Sequence, residues 1–132
     1  MTALFVLAGC LASAPAPVTS PPVEPVTVAP PPVVHVVTPL ALTEGIALFN
    51  KGDFNGAIKR LSAASEIWTA DKSVQQEALK YMAFSYCVTG RQVLCKQQFE
   101  KAVALDWNFD LAPGEKGHPL WGPVFDRVKK IK

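Results

Sequence analysis

Small and large apolar residues recur along residues 39–132 at an offset of 38. Gly45 pairs with Ala83, Leu48 with Tyr86, Gly52 with Gly90 and Ala57 with Cys95. Leu61 then pairs with Phe99, Ala64 with Ala102 and Ile67 with Leu105. Each pair keeps its size class. Small residues at fixed sites let two helices approach closely, and large ones fill the seam between them. No stretch of any length alternates with the period of two that a half-buried strand requires. Capping and turn residues divide the pattern further. Thr38-Pro39 puts a capping hydroxyl before a proline at the first helical position. Gly52-Asp53 ends one helix and caps the next. Ser73 with Gln76 forms a capping box, and Gly90 ends a further helix. These signals predict helices over about 39–51, 54–70, 74–89 and 92–106, with a last one over about 119–131 after His118-Pro119.

The first copy of the pattern reads GIALFNKGDFNGAIKRLSAA from Gly45 to Ala64. This is similar to the tetratricopeptide repeat, with its small residue, large residue, Gly-Asp-aromatic turn, Ala, large residue and Ala. The second copy is weaker: AFSYCVTG from Ala83 to Gly90, then Cys95, Phe99 and Ala102. The family period is 34 residues, so about four residues are added here, expected within Trp68 to Val74. The resemblance implies an all-α fold of two antiparallel helix pairs plus a C-terminal capping helix. It also implies a concave face lined by the first helix of each pair. Family positions carried onto this chain are Leu42, Ile46, Phe49 and Asn50 from the first repeat, and Lys80, Phe84, Cys87 and Val88 from the second. That face is apolar for an exposed surface. One reading is an open groove that docks a helix or an extended peptide. The other is a face covered internally, by the last helix or by the chain's own Val-Pro tail. An open groove would lose partner capture on Phe84→Ala or Phe49→Glu and keep its helical spectrum.

Two repeats are fewer than stacking normally needs, so the open ends must be closed. The segment Gly114–Pro123 is dense in turn formers and contains Leu120 and Trp121. It is read as a turn that brings the last helix back, with Trp121, Val124, Phe125 and Val128 covering the second repeat. The alternative is a recognition loop.

Composition splits the chain in two. Nine of the twelve prolines fall between Pro15 and Pro39, and all thirteen Lys and Arg lie at or after Lys51. Residues 11–38 are almost wholly Ala, Pro, Val, Thr and Ser, with one acid (Glu24) and no base. Such a stretch lacks the large apolar residues that offset chain entropy. It is expected to be a disordered linker, reaching roughly 80 Å if extended at about 3.1 Å per residue. The 39–132 domain holds the thirteen bases against ten acids, too weak an excess to imply nucleic acid. The run Arg127, Lys129, Lys130, Lys132 fits a helix C-terminus.

Residues 7–10, Leu7-Ala8-Gly9-Cys10, follow a short apolar run and resemble the lipobox of bacterial lipoproteins. The resemblance implies cleavage before Cys10, with three acyl chains on that residue. Such anchoring is strong, because each buried methylene adds roughly 0.8 kcal/mol. By the family rule Leu11, in place of Asp, directs the protein to the outer membrane. Only nine residues precede Cys10 and none is Lys or Arg. A full signal has a basic start and about 15–30 residues, so residues 1–10 read as a truncated signal or one with its start placed too late.

With Cys10 assigned to lipid, Cys87 and Cys95 remain, an even pair in an oxidising compartment. They flank the Gly90 turn almost equally and face each other across an antiparallel hairpin. A disulfide is expected; the alternative is two buried thiols, Cys95 standing where the repeat has Ala. Zinc would need Cys87, Cys95, His118 and a carboxylate, a scattered set. No nucleophile with an adjacent base is visible, and no phosphate loop. His118 is read as ordering its turn, and Asp110 with Glu115 as solvated loop acids. No enzyme activity, cofactor, small-molecule substrate or nucleic acid is expected.

Lipobox, Pro-rich spacer, a short repeat domain with Ser85-Tyr86-Cys87 and Cys95, then GHPLWGP from Gly117 to Pro123: this layout resembles the TssQ family, small repeat lipoproteins found beside type VI secretion genes. It implies an accessory, protein-binding role at the periplasmic face of the outer membrane, around the envelope complex of that machine. The alternative is an adaptor lipoprotein that docks peptidoglycan hydrolases or another envelope assembly.

Overall fold

The computed structural model describes residues 37–131 and, ahead of them, Gly9 and Pro17. Cys10 and nearly all of the 11–38 linker lie outside the described residues. The described chain is all-α, built from α1 (Leu40–Asn50), α2 (Phe54–Ala63), α3 (Ser65–Trp68), α4 (Lys72–Val88), α5 (Gln92–Leu105), α6 (Pro113–Lys116) and α7 (Gly122–Lys130). Helices α1 and α2 form the first tetratricopeptide-like pair, and α4 and α5 the second. Helix α4 packs against both members of the first pair, and α7 packs on α5 as the cap. No helix among the described residues is long and apolar enough to cross a membrane.

The offset of 38 is visible atom by atom. At the first turn, Lys51 N–H donates to Ala47, Gly52 N–H to Phe49 and Asp53 N–H to Leu48. At the second, Thr89 donates to Ser85, Gly90 to Cys87 and Arg91 to Tyr86, each donor and acceptor shifted by the same step. Both turns need a left-handed residue, and Gly52 (φ 83°) and Gly90 (φ 78°) supply it without the Cβ penalty. The paired small sites behave alike too. Ala57 and Cys95 are both fully buried, as are Leu61 and Phe99. Gly45 lies so close to Leu61 that an added Cβ would fall 2.3 Å from its Cδ2.

Besides the last helix, which starts at Gly122 rather than near Pro119, three local expectations change. Helix α1 starts at Leu40, with Pro39 as the capping residue; the Thr38 hydroxyl makes no capping bond, and the Pro39 carbonyl accepts from Leu42 N–H (3.0 Å). Helix α4 starts at Lys72, one residue before Ser73, so no capping box forms there. The Asp71 carbonyl receives the Val74 and Gln75 N–H groups. Gln76 is drawn elsewhere: its Nε2 donates to the Ala102 carbonyl (2.9 Å) in the last turn of α5, a group that otherwise takes only a long bond from the Asp106 N–H (3.4 Å). Finally, the helix expected over 54–70 breaks at Ala64, which is extended (ψ 100°). The chain restarts as the single turn α3. There the Trp68 indole N–H donates back to the Ser62 carbonyl (3.1 Å), satisfying a group the break leaves free. The residues added to the repeat are therefore spent on α3 and the turn after it.

Two apolar clusters fill the domain. One joins α1 to α4 and holds Leu42, Leu61, Ile67, Val74 and Met82. The other joins α4, α5 and α7 and holds Phe84, Phe99, Leu111, Trp121, Phe125 and Val128. Tyr81 and Tyr86 pack against both, so the two repeats share a boundary of phenol rings.

Cys87 and Cys95 form a disulfide across the α4–α5 turn, Cα atoms 5.2 Å apart, which removes both from any zinc set. A covalent loop of eight steps restricts the unfolded chain by about 2–3 kcal/mol. The double variant Cys87→Ala/Cys95→Ala is therefore expected to keep its helical circular dichroism and lose about 2–3 kcal/mol in urea unfolding. Addition of reductant should leave that variant unchanged while bringing the native chain toward it.

Candidate functional site

The C-terminal turn is where the sequence places its densest unusual residues, and the structure builds it around Glu115. After α5, Asp110 turns the chain: its Oδ1 accepts the Leu111 N–H (2.9 Å), and its Oδ2 pairs with Lys116. The Lys116 hydrogen bond, helped by the Leu111 N–H and opposed by slight burial, holds the Asp110 carboxyl below its ordinary value. Leu111 then enters the core, and Ala112 precedes the single-turn helix α6. Glu115 Oε2 accepts the Ala112 N–H (2.9 Å), Oε1 accepts Lys80 Nζ (3.0 Å), and its carbonyl accepts the Trp121 indole N–H (2.9 Å). One residue thus fastens the turn to α4 and to the tryptophan.

Trp121 is the keystone. Its ring stacks on Phe84 at 4.1 Å with 22° between planes, and His118 stacks on its other face at 3.3 Å and 3°. Phe49 approaches the same ring at 6.4 Å, and also Phe84, Tyr81 and Phe54. The His118 Nδ1 accepts the Leu120 N–H (3.2 Å), so the imidazole orders its own turn, as the sequence suggests. Gly122 explains the next letter of the motif: an added Cβ would sit 2.4 Å from the Lys116 carbonyl oxygen. Pro123 follows within the first turn of α7, where its missing N–H is harmless.

This arrangement bears on the face that the sequence left either open or covered. Leu42 is buried in the first cluster, and Phe84 is 2 % exposed beneath Trp121. Lys80 is buried as well, held by Glu77 (3.1 Å) and Glu115 (3.0 Å). Ile46, Phe49 and Val88 are half-buried, packed on the two clusters, and Asn50 alone of the eight positions is exposed. Cys87 is buried in the disulfide. The covered reading therefore holds at the second repeat, and the occupant is the GHPLWGP turn itself. A two-repeat stack ends at once, and its last aromatic faces must be buried by something. Phe84→Ala would remove a core ring, not a docking contact.

Electrostatics of the covered site are self-contained. Burial pushes the Lys80 ammonium down, but the Glu115 hydrogen bond and the Glu77 charge outweigh it and raise its pKa. Burial also raises the Tyr81 phenol, against the pull of Lys80. Asp110 and Glu115 each serve a different cation, Lys116 and Lys80 respectively.

Sequence reading did not anticipate two surface depressions. One, about 570 Å³, lies between α5 and α7 and is lined by Val93, Lys96, Val124, Arg127, Lys130 and Ile131. The second is a pair of hollows against α3, α4 and α5, about 340 and 310 Å³, with Trp68, Leu79 and Lys101 lining both. The only advance signal of the pair was the longer repeat period. Comparison with protein-family models, with curated proteins and with solved structures gives no match.

Two outcomes test the turn. Gly122→Ala should cost about 1–3 kcal/mol in denaturant unfolding, because backbone cannot yield as a side chain does. Gly117→Ala, whose added Cβ meets nothing within 4 Å, should be near neutral. For Lys80, the folded pKa lies above the unfolded 10.5, and for Tyr81 above 10.0. The native form thus holds more protons in alkali, and stability is full below about pH 10 and falls as pH rises through the folded values. The stability gap between the native chain and Lys80→Met should be constant at neutral pH and narrow above pH 10.5.

Proposed function

We propose that this chain is a lipid-anchored envelope protein whose helical-repeat domain binds another protein and performs no chemistry of its own. The observation that carries the reading is Leu7-Ala8-Gly9-Cys10 followed by a proline-rich spacer and then a packed helical domain. Cys10 is the acylated residue, and the spacer holds the domain away from the outer membrane on its periplasmic side. A cross-link between Cys87 and Cys95 fits an oxidising compartment. The turn residues that chemistry would recruit are already engaged: His118 with Leu120, Glu115 with Lys80 and Asp110 with Lys116. The GHPLWGP turn and the Ser85-Tyr86-Cys87 segment, by their likeness to the TssQ family, favour an accessory role beside the type VI secretion membrane complex.

The test is metabolic labelling with palmitate of a precursor in which a complete lipoprotein signal is fused ahead of Cys10. Label is expected on the native chain and not on Cys10→Ser, with the labelled form in outer-membrane fractions. No label on the native chain overturns the anchor and the compartment with it. Crosslinking in the native envelope separates the partner classes: secretion-complex subunits support the accessory role, and peptidoglycan hydrolases replace it.

A further inference from the structure

The larger depression, about 570 Å³, lies between α5 and α7, with Val93, Val124 and Ile131 as its apolar wall. Neither Phe84 nor Trp121 lines it, so it is not the face that the turn closes. Ile131 also lines a smaller hollow, about 220 Å³, which continues along α5 past Val103 and Ala104 to Trp107. From Val93 to Ala104 this seam follows three turns of α5, about 16 Å at 1.5 Å per residue. Helix α7 has nine residues against fourteen in α5, and it leaves Val93 72 % exposed. Val93, Trp107 and Ile131 are three of the seven large apolar side chains that the described residues expose, so bare apolar surface concentrates here. The same seam is positively charged. Lys96, Arg127 and Lys130 border the larger hollow, and no acid does. Lys96 is paired with Glu100 (3.1 Å). Arg127 and Lys130, one turn apart on α7, make no ion pair among the described residues, and Asp126 beside them pairs with neither.

Charge and shape together define an occupant. Covering Arg127 and Lys130 with a neutral surface would strip their water without return, whereas carboxylates would give charge-assisted hydrogen bonds. The occupant is therefore acidic along its α7 side and apolar beneath. Its backbone must supply its own hydrogen bonds, because the side chains of Val93, Val103, Ala104 and Ile131 offer none. A helix meets that condition; an extended chain on the same wall leaves N–H and C=O groups unpaired. The seam between two packed helices is also the shape into which a third rod fits, ridge into groove. A bilayer surface fits it less well, since the seam is recessed between two helices and Glu100 stands beside it. We infer that the α5–α7 seam binds an amphipathic helix of a partner protein, about three turns long, aliphatic on one face and acidic along the edge that meets α7. The inference rests on the protein-binding reading above and names the surface and the partner's chemistry.

The probe is a blocked peptide of about four helical turns, with leucines at three- and four-residue steps and glutamates flanking them on one side. It is titrated into the 132-residue chain and followed by amide NMR and circular dichroism. Saturable shifts are expected at Val93, Ala104, Arg127 and Ile131, with a gain in helicity. A proline at the peptide's centre should weaken binding about tenfold or more. The double variant Arg127→Glu/Lys130→Glu should weaken it about tenfold and flatten its salt dependence. That variant should instead take up the peptide with lysines in place of glutamates, an exchange that a damaged fold would not show. Lys101→Glu, beside the other depression, should leave binding unchanged. Shifts absent from the seam, equal binding of the proline peptide, or no exchange on charge reversal overturn the inference. Vesicles of phosphatidylglycerol should not sediment the unacylated chain; sedimentation that Arg127→Glu/Lys130→Glu abolishes would give the seam to a membrane and overturn the inference as well. In cells, a photocrosslinker at Val93 of the acylated chain should join to a segment whose mapped sequence has the acidic and aliphatic pattern. Crosslinks formed from other surfaces but not from Val93 would remove the seam and keep the binding function; none from any surface would remove both.

Discussion

The sandwich of Trp121 between Phe84 and His118 is the contact on which the domain closes. A stack of helix pairs has no natural end, since each pair exposes the face that its successor would bury. Here the successor is replaced by ten residues of turn. Phe84 offers the flat apolar surface, Trp121 covers it, and His118 covers Trp121 in turn. Aromatic pairs of this kind contribute about 0.5–1.5 kcal/mol beyond the area they bury. The larger gain is that α7 is delivered onto α5 with Val124, Phe125 and Val128 facing inward.

Around that sandwich the polar atoms are arranged to permit burial. The indole N–H would be an orphan if it did not reach the Glu115 carbonyl, and the Lys80 ammonium would be intolerable without two carboxylates. Glu115 serves both and also caps α6. The consequence is mutual dependence: the turn is ordered by α4 through Lys80, and α4 has its apolar face covered by the turn.

Much of this was legible in sequence, and the reasons are local. The two Gly turns and the small-large pairing at offset 38 read correctly because each site tolerates few residue types, either for φ or for space. Asp53 read correctly as a cap because its Oδ1 finds the Gly56 N–H as spacing demands. Ser73 and Gln76 read wrongly because a distant carbonyl on α5 outbid the local partner, and no local rule sees that. The break at Ala64 was invisible for a similar reason: no glycine or proline lies between Ala57 and Ala70 to stop a helix, and only the fit of Trp68 against Ser62 shows why the chain stops and restarts. The cap was legible as well: Trp121, Val124, Phe125 and Val128 cover the second repeat as the turn-rich segment suggested, whereas family positions alone describe a face in long arrays where the next turn of chain does not fold back over it.

The aromatic closure also gives the stack a direction. Behind α7 there is no bare helix pair left to extend, because the side chains that would greet a third repeat are already occupied by histidine and tryptophan. Ahead of α1 the chain still shows Leu40 to solvent. Lengthening such a rod by grafting is therefore a task for its leading edge, and a splice at the trailing edge would first have to peel away the lid that lets two repeats stand alone.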